Sequence, residues 1–232
     1  MQIHGLNKTT LLDYPEHVAA TVFTGGCNFC CPFCHNGDLV LHPGEFPTIS
    51  EEEVFTFLQK RKNVLTGVCI TGGEPTLQPD LPDFVRRIKE MGYLVKLDTN
   101  GYRPDILKQL LEEKLLDYVA MDIKNSKDKY DNTVGKENLD IRRLEESVTR
   151  LKEGRIPYEF RTTVVRELHA KEDFTAIGEW LSGARVYFLQ GYRDNENVIQ
   201  RGFSTYTKEE MEAFAQILRR HIDRVEVRGL DA

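Results

Sequence analysis

Short apolar segments alternate with amphipathic segments along most of this chain. The apolar segments have the length and β-branched composition of strands, and they lie at 18–23, 64–71, 93–97, 118–123, 158–165, 186–190 and 224–227. The amphipathic segments have helical spacing, and they lie at 50–60, 81–91, 105–114, 140–152, 174–181 and 208–221. Strands that alternate with helices of about 10–15 residues are typical of βαβ units and a parallel sheet. The pattern predicts an α/β fold, and six such units fit a barrel or partial barrel better than an open sheet.

Length, charge and hydropathy narrow the class of protein. With 232 residues and no repeat or linker, the chain is expected to form a single domain over 1–232. The net charge is −6, and the basic residues form short clusters in helical segments, which argues against a nucleic-acid partner. No segment approaches the roughly 20 apolar residues of a membrane helix, and the N-terminus does not resemble a signal peptide. We therefore expect a cytoplasmic protein without a membrane partner.

Polar and glycine residues follow the predicted strands. Gly72-Gly73-Glu74-Pro75 follows the second strand, Asp98-Thr99-Asn100-Gly101 follows the third, and Asp122 and Lys124 end the fourth. In parallel α/β barrels the chemistry lies in loops at the carboxyl ends of the strands. Because unpaired buried charge is costly, Asp98, Asp122 and Lys124 either pair with one another or serve a bound ligand.

Four of the five cysteines form a cluster after the first strand: Cys27, Cys30, Cys31 and Cys34 lie within eight residues. An odd number of cysteines packed into one loop is a poor disulfide framework and indicates metal or redox chemistry. Two C-x-x-C pairs could bind zinc, but the adjacent Cys30 and Cys31 leave the chain little room to wrap one ion. Omitting Cys30 leaves three thiols spaced to hold an iron–sulfur cluster with one iron open. The iron interpretation fits better, and a non-catalytic zinc or iron–sulfur module is the alternative. Cys69, within a strand, is expected to be a small buried residue.

The motifs together resemble a known family. The C-x-x-x-C-x-aromatic-C spacing, with Phe33 as the aromatic residue, and the strand-terminal Gly72-Gly73-Glu74-Pro75 resemble the signatures of the radical S-adenosylmethionine (radical SAM) superfamily. Further residues extend the likeness to its glycyl-radical-enzyme activases, most closely the anaerobic ribonucleoside-triphosphate reductase activating proteins: Asp13-Tyr14-Pro15, Cys34-His35-Asn36, Asp98-Thr99-Asn100-Gly101 and Asp122-Ile123-Lys124. The resemblance covers most of 1–165 and implies a partial (β/α)6 barrel.

The resemblance also implies the cofactors and their ligands. Cys27, Cys31 and Cys34 would hold a 4Fe–4S cluster, whose open iron binds S-adenosylmethionine. The cofactor-binding residues that it implies are Phe33, His35, Gly72, Gly73, Glu74, Asp98, Asn100, Asp122, Lys124 and Arg161.

Several of these residues receive specific roles by the same resemblance. Gly73 and Glu74 would meet the methionine amino group, and Phe33 would lie against the adenine. His35 would contact the nucleoside end through its backbone. Lys124 would meet the methionine carboxylate.

The resemblance also implies roles for charged residues and for residues of the fifth and sixth predicted strands. Lys124 and Asp122 are the candidate catalytic residues, and a monovalent cation is expected near Asp98 and Asp122. Arg161 faces the cofactor in this interpretation, and Gln190 and Tyr192 are weaker candidates.

The activity implied by the resemblance is reductive cleavage of S-adenosylmethionine to a 5′-deoxyadenosyl radical, which generates a glycyl radical on a partner enzyme. The partner would be the anaerobic ribonucleotide reductase, and the electron donor a flavodoxin- or ferredoxin-type protein. An activase of pyruvate formate-lyase type and a radical SAM enzyme acting on a small molecule are the alternatives. Two departures stand out: Cys30 is a thiol that activases do not need, and the extra ferredoxin-like insert of some activases is absent.

Overall fold

A computed structural model describes residues 1–154 and 156–230 of the chain. Strands and helices alternate through these residues. The strands are β1 (Ile3–Thr10), β2 (Ala19–Thr24), β3 (Gly67–Gly72), β4 (Leu94–Thr99), β5 (Tyr118–Asp122), β6 (Tyr158–Val164), β7 (Val186–Gly191) and β8 (Arg224–Arg228). The helices are α1 (Gly37–Leu41), α2 (Glu51–Lys60), α3 (Leu81–Glu90), α4 (Pro104–Glu112), α5 (Tyr130–Val134), α6 (Ile141–Glu153), α7 (Lys171–Trp180) and α8 (Lys208–Leu218). Three short 3₁₀ helices lie at Pro43–Glu45, Pro75–Leu77 and Lys127–Lys129.

Strand pairing follows the order of the chain, β1-β2-β3-β4-β5-β6-β7-β8. β1 runs antiparallel to β2, with Leu6 opposite Val22. β2, β3 and β4 are parallel, and their register places Thr21 opposite Cys69 and Cys69 opposite Lys96. β6, β7 and β8 are also parallel to one another. Because β2, β3 and β4 are parallel neighbours, the segments that follow their carboxyl ends lie along the same edge of the sheet.

The chain divides into two compact units, which share β5. The first unit contains Met1–Asn28 and Asp38–Ala120, and the second contains Phe29–Gly37 and Met121–Ala232. The single domain expected from the sequence stays a prediction.

The first unit buries apolar side chains of its strands against the apolar faces of its helices. Val68 and Ile70 of β3 are fully buried, as are Leu58 of α2 and Val85 of α3. A capping box begins α2: the backbone N–H of Glu53 donates to Ser50 Oγ at 3.2 Å, and that of Ser50 donates to Glu53 Oε2 at 3.0 Å. This cap fixes where the helix begins.

The second unit has a more aromatic core. Phe160 of β6, Tyr187 of β7 and Phe174 of α7 are all fully buried. The Phe174 ring stacks on that of Phe214 in α8 with centroids 4.4 Å apart. No helix among the described residues has the length and hydropathy needed to span a membrane.

Candidate active site

The glycine turn after β3 packs directly on the backbone that leads into the cysteine loop. Gly73 N–H donates to the Thr24 carbonyl at 2.8 Å, and Glu74 N–H donates to the Gly26 carbonyl at 2.8 Å. A Cβ on Gly73 would lie 1.9 Å from the Gly26 oxygen, and one on Gly72 would lie 2.3 Å from Thr24 backbone atoms. Gly72 also has a φ of +118°, which L side chains rarely adopt. Both glycines are therefore required for this close approach.

The Glu74 carboxylate is buried and holds the same turn to the end of β4. Oε1 accepts from the Thr76 N–H at 3.1 Å, from the Thr76 hydroxyl and from the Thr99 hydroxyl at 2.7 Å, and Oε2 accepts from Asn100 N–H at 2.7 Å. These donors use the roughly four acceptor sites of a carboxylate. Burial raises the pKa of Glu74, although the hydrogen bonds act in the opposite direction. The side chain is thus a brace between two loops, and its expected contact with the methionine amino group stays a prediction.

The side-chain amide of Asn100 reaches the first cysteine of the loop. Its Nδ2 lies 2.8 Å from Asn28 Oδ1 and 3.8 Å from Cys27 Sγ, while its Oδ1 accepts from Tyr102 N–H at 3.0 Å. The Nδ2 of Asn28 is buried and has no hydrogen-bond partner within the described residues. Sulfur ligands of iron–sulfur clusters accept such N–H donors, which tune the cluster potential. The surroundings of Cys27 therefore suit a sulfur-ligated cluster.

Asp98 forms a salt bridge with Lys96 two residues earlier on β4. The Lys96 side chain is 3% exposed and that of Asp98 is 12% exposed, so the pair is buried. The Lys96 ammonium also lies 3.9 Å from Cys69 Sγ, and Cys69 is fully buried as predicted. Since Lys96 already supplies a positive charge at Asp98, charge balance there does not require a metal cation. The expected monovalent cation stays a prediction.

In the second unit, Cys31 and Cys34 lie in a short turn. Cys34 N–H donates to the Cys31 carbonyl at 3.0 Å, and the Cys34 carbonyl accepts from Ile199 N–H at 3.3 Å. Burial raises the pKa of the Cys34 thiol, while the nearby Lys124 cation acts to lower it. Cys30 is exposed, in contrast to the buried Cys31. These environments agree with leaving Cys30 out of the ligand set, although the ligand assignment itself stays a prediction.

Asp122, the last residue of β5, joins Lys124, two residues further along the chain, to Arg161 in the middle of β6. Its Oδ2 lies 2.9 Å from Lys124 Nζ, and its Oδ1 accepts from Arg161 Nε. Burial alone would raise the pKa of Asp122, but Arg161 and Lys124 together lower it strongly. Burial alone would lower the pKa of Lys124, but Asp122 and the sulfurs of Cys31 and Cys34 raise it. The structure thus brings together three predicted site residues and places a permanent cation beside two cysteines.

The side chains of Phe33 and His35 contact different residues. The buried Phe33 ring packs edge-on against His169, with centroids 6.5 Å apart. His35 is exposed, its Nε2 lies 2.7 Å from the Arg193 carbonyl, and its ring lies 5.5 Å from that of Tyr192. The expected adenine and nucleoside contacts of these residues stay predictions, as does a role for Gln190.

Two residues near the site were missed by sequence reasoning. His169 is 2% exposed, and its Nε2 lies 2.8 Å from the Lys124 carbonyl, so it fixes the backbone at that position. Its sequence environment carries no metal-site spacing and gave no signal. Lys96 shares a face of β4 with Asp98 because residues two apart in a strand point the same way, and this periodicity could have revealed it.

The cysteine thiols are donors of the type that iron–sulfur clusters take. Among the described residues, no group of three or more His, Cys, Asp or Glu side chains is arranged to hold one metal ion. Each thiolate of a cubane binds a different iron, so the sulfur atoms need not converge on a single point. A donor set of thiols with amide hydrogen-bond donors nearby matches that chemistry.

Taken together, the alternating fold, the thiol loop and the charged strand ends define an α/β enzyme that works with a sulfur-ligated metal cofactor. The chain belongs to the radical SAM superfamily, whose family model matches residues 21–179. Members of this superfamily use a 4Fe–4S cluster and S-adenosylmethionine, and these are the cofactors of this enzyme. The membership favours the iron interpretation of the cysteine loop over the zinc interpretation.

Several known proteins are similar to this chain. A Methanocaldococcus jannaschii protein that bears the name "Putative glycyl-radical enzyme activating enzyme" is 30% identical over 236 residues, which covers 99% of this chain and 96% of that protein. A pyruvate formate-lyase-activating enzyme of Clostridium pasteurianum is 33% identical over 132 residues, which covers 55% of this chain and 54% of that enzyme. Streptococcus suis SuiB bound to S-adenosylmethionine superposes with a TM-score of 0.68 at 15% identity, covering 88% of this chain and 48% of SuiB. This likeness confirms the predicted α/β fold of the radical SAM type.

Proposed function

We propose that this protein is a glycyl-radical-enzyme activase whose partner is the anaerobic ribonucleoside-triphosphate reductase. The observation that carries the activase role is the similarity to the M. jannaschii activating enzyme along almost the whole of both chains. The choice of partner rests on the sequence motifs Asp13-Tyr14-Pro15 and Asp122-Ile123-Lys124. A flavodoxin- or ferredoxin-type protein would supply the electron.

In this proposal Cys27, Cys31 and Cys34 ligate the cluster, and Cys30 does not. When bound, the cluster would supply the one electron that cleaves S-adenosylmethionine to methionine and a 5′-deoxyadenosyl radical. Transfer of a hydrogen atom from a glycine Cα of the partner to that radical would leave 5′-deoxyadenosine and a glycyl radical on the partner.

The protein's own groups would bind and orient the nucleotide. Lys124, kept charged by Asp122, suits the methionine carboxylate because burial strengthens the attraction between opposite charges. Arg161 holds Asp122 from the other side and so fixes the position of that carboxylate. Phe33 supplies an apolar ring for the adenine. The expected cofactor contacts of Gly72, Gly73, Glu74, Asp98, Asn100 and His35 belong to the same proposal.

Electron paramagnetic resonance tests the activase role. The reduced, cluster-loaded protein is mixed with S-adenosylmethionine and purified anaerobic ribonucleotide reductase, and a glycyl doublet is expected. A Cys34→Ser variant should give no doublet, because it removes a proposed cluster ligand. If the wild-type protein cleaves the nucleotide but yields no doublet on the reductase, the partner assignment is wrong.

A second candidate partner is a pyruvate formate-lyase type enzyme. The similarity to the C. pasteurianum activating enzyme over 55% of this chain favours it. The same resonance experiment, run side by side with both partner enzymes, separates the two. A doublet on the formate-lyase alone would assign the partner to that class, and no doublet on either would reject the activase role.

A further inference from the structure

The orientation of two asparagine amides beside Cys27 is fixed by the backbone. The N–H of Tyr102 can only donate, and it lies 3.0 Å from Asn100 Oδ1, so the Asn100 oxygen must face it. The Nδ2 of Asn100 then points to Asn28 Oδ1 at 2.8 Å and to Cys27 Sγ at 3.8 Å. Because Asn100 presents a donor to Asn28, the Asn28 amide must present its oxygen in return.

This arrangement leaves the Asn28 Nδ2 group as a buried donor. It has no hydrogen-bond partner within the described part of the chain. Turning the Asn28 amide over would place two N–H donors face to face, so a flip cannot relieve it. A buried donor without an acceptor costs about 1–3 kcal/mol. Such a group in a native protein calls for an explanation, and an acceptor that arrives with a ligand is one.

The position of this donor indicates which ligand. Asn28 directly follows Cys27, and its Oδ1 lies 4.0 Å from Cys27 Sγ. On amide bond lengths the Nδ2 lies about 2.3 Å from that Oδ1, so the donor lies at most about 6.3 Å from the sulfur. The acceptors that the proposed function brings here are the sulfur atoms of the cluster.

Asn100 is in turn held by the Glu74 brace. Its backbone N–H donates to Glu74 Oε2 at 2.7 Å, and Glu74 N–H donates to the carbonyl of Gly26, the residue before Cys27. The two asparagines and the first cysteine are therefore tied into one hydrogen-bonded network. A donor fixed in this way needs no rearrangement when a ligand binds.

We propose that Asn28 is a positioning residue whose Nδ2 donates a hydrogen bond to a sulfur atom of the cluster, with Asn100 fixing its orientation. This inference rests on the proposed cluster site at Cys27. A donor to sulfur stabilises the reduced, more negatively charged state, so Asn28 raises the reduction potential of the cluster.

The test is a redox titration of the cluster-loaded Asn28→Leu protein in the absence of S-adenosylmethionine. Electron paramagnetic resonance monitors the reduced cluster during the titration. Leu has a similar volume and no donor. At a fixed potential we expect the ratio of reduced to oxidised cluster to fall about tenfold, a negative midpoint shift of about 59 mV for one electron. Asn7→Leu, which changes an exposed asparagine on β1, is the matched control and should leave the potential unchanged.

An unchanged potential in an Asn28→Leu protein that carries its full iron and sulfide overturns the proposal. A shift that is seen only with S-adenosylmethionine present assigns the acceptor to the nucleotide and also overturns it. If the wild-type protein assembles no cluster at all, the proposed function and this inference both fail. An unchanged potential in the cluster-loaded variant defeats this inference alone, so the two failures are distinguishable.

A second measurement on the wild-type protein does not depend on how the variant folds. With asparagine side-chain amides labelled with ¹⁵N, pulsed resonance of the reduced cluster should detect coupling to an amide nitrogen. The coupling should weaken in Asn28→Asp, which removes one of the two donors and retains the shape. The absence of any coupling in the wild-type protein would refute the hydrogen bond.

Discussion

Replacing Glu74 by glutamine tests the brace that connects the cysteine loop to the end of β4. Glu74 is 1% exposed, and its carboxylate accepts hydrogen bonds from Thr76, Thr99 and Asn100. Glutamine keeps one oxygen and converts the other into an NH₂ donor. In either orientation of the amide, at least one backbone N–H then faces a donor instead of an acceptor.

The expected loss of stability follows from this missing hydrogen bond. A hydrogen bond to a charged acceptor contributes about 1.5–3 kcal/mol, and a buried donor left unsatisfied costs about 1–3 kcal/mol. These two figures describe the same lost contact in large part, so we expect Glu74→Gln to lower the free energy of unfolding by about 2–3 kcal/mol. Urea unfolding of the cluster-free protein measures it. The exposed Glu90→Gln is the matched control and should change stability by less than about 0.5 kcal/mol.

The pH dependence supplies a second readout. Because burial raises the pKa of Glu74, the folded state binds its proton more tightly than the unfolded state does. The stabilisation linked to this proton is fully present below the ordinary glutamate pKa of about 4.3 and is lost as the pH rises through the raised pKa. The difference in stability between wild type and Glu74→Gln should therefore shrink over that interval. A loss below about 0.5 kcal/mol at every pH would refute the brace.

Three further predictions follow from the same geometry. Gly73→Ala should lower the free energy of unfolding by about 1–3 kcal/mol in urea, because the added Cβ would meet a backbone oxygen at 1.9 Å. In the control variant Gly44→Ala the added Cβ meets nothing within 4 Å, and stability should not change. Asp122→Asn removes the carboxylate between two basic side chains and should cost about 3 kcal/mol at neutral pH. Since the pKa of Asp122 is lowered, that cost should diminish as the pH falls through the ordinary aspartate range and below it, and equal costs at acidic and neutral pH would contradict the ion pairing. Cys34→Ala should abolish cluster assembly while Cys30→Ala retains it, and equal iron loss in both would show that the ligand choice is wrong.

Most of the regular structure was predictable from periodicity. The seven predicted strands and the six predicted helices are confirmed within a few residues. β1 (Ile3–Thr10) was missed because its buried residues lie at its two ends and give no alternation, and α1 (Gly37–Leu41) and α5 (Tyr130–Val134) are too short for a helical period. α7 begins at Lys171, three residues before the predicted start, because its first turn is polar and is capped by Asp173.

The positions of the candidate site residues at strand ends were predictable, and the long-range pairings of these residues were not. The positions of Asp98, Asp122 and Lys124 follow from where the apolar segments stop. The pairing of Lys96 with Asp98 joins residues two apart on one strand, so strand periodicity could have indicated it. The His169 contact with the Lys124 backbone joins residues 45 apart in the chain, and such a pairing depends on tertiary packing, which no local spacing encodes.

The central claim is that three thiols of one loop hold a 4Fe–4S cluster that works on S-adenosylmethionine. The most direct measurement is iron, sulfide and nucleotide analysis of the anaerobically reconstituted protein after reduction. The account predicts iron and sulfide in equal amounts, one cluster for each chain, and conversion of S-adenosylmethionine to 5′-deoxyadenosine and methionine. Protein that binds no sulfide and leaves the nucleotide uncleaved under reductant would contradict it.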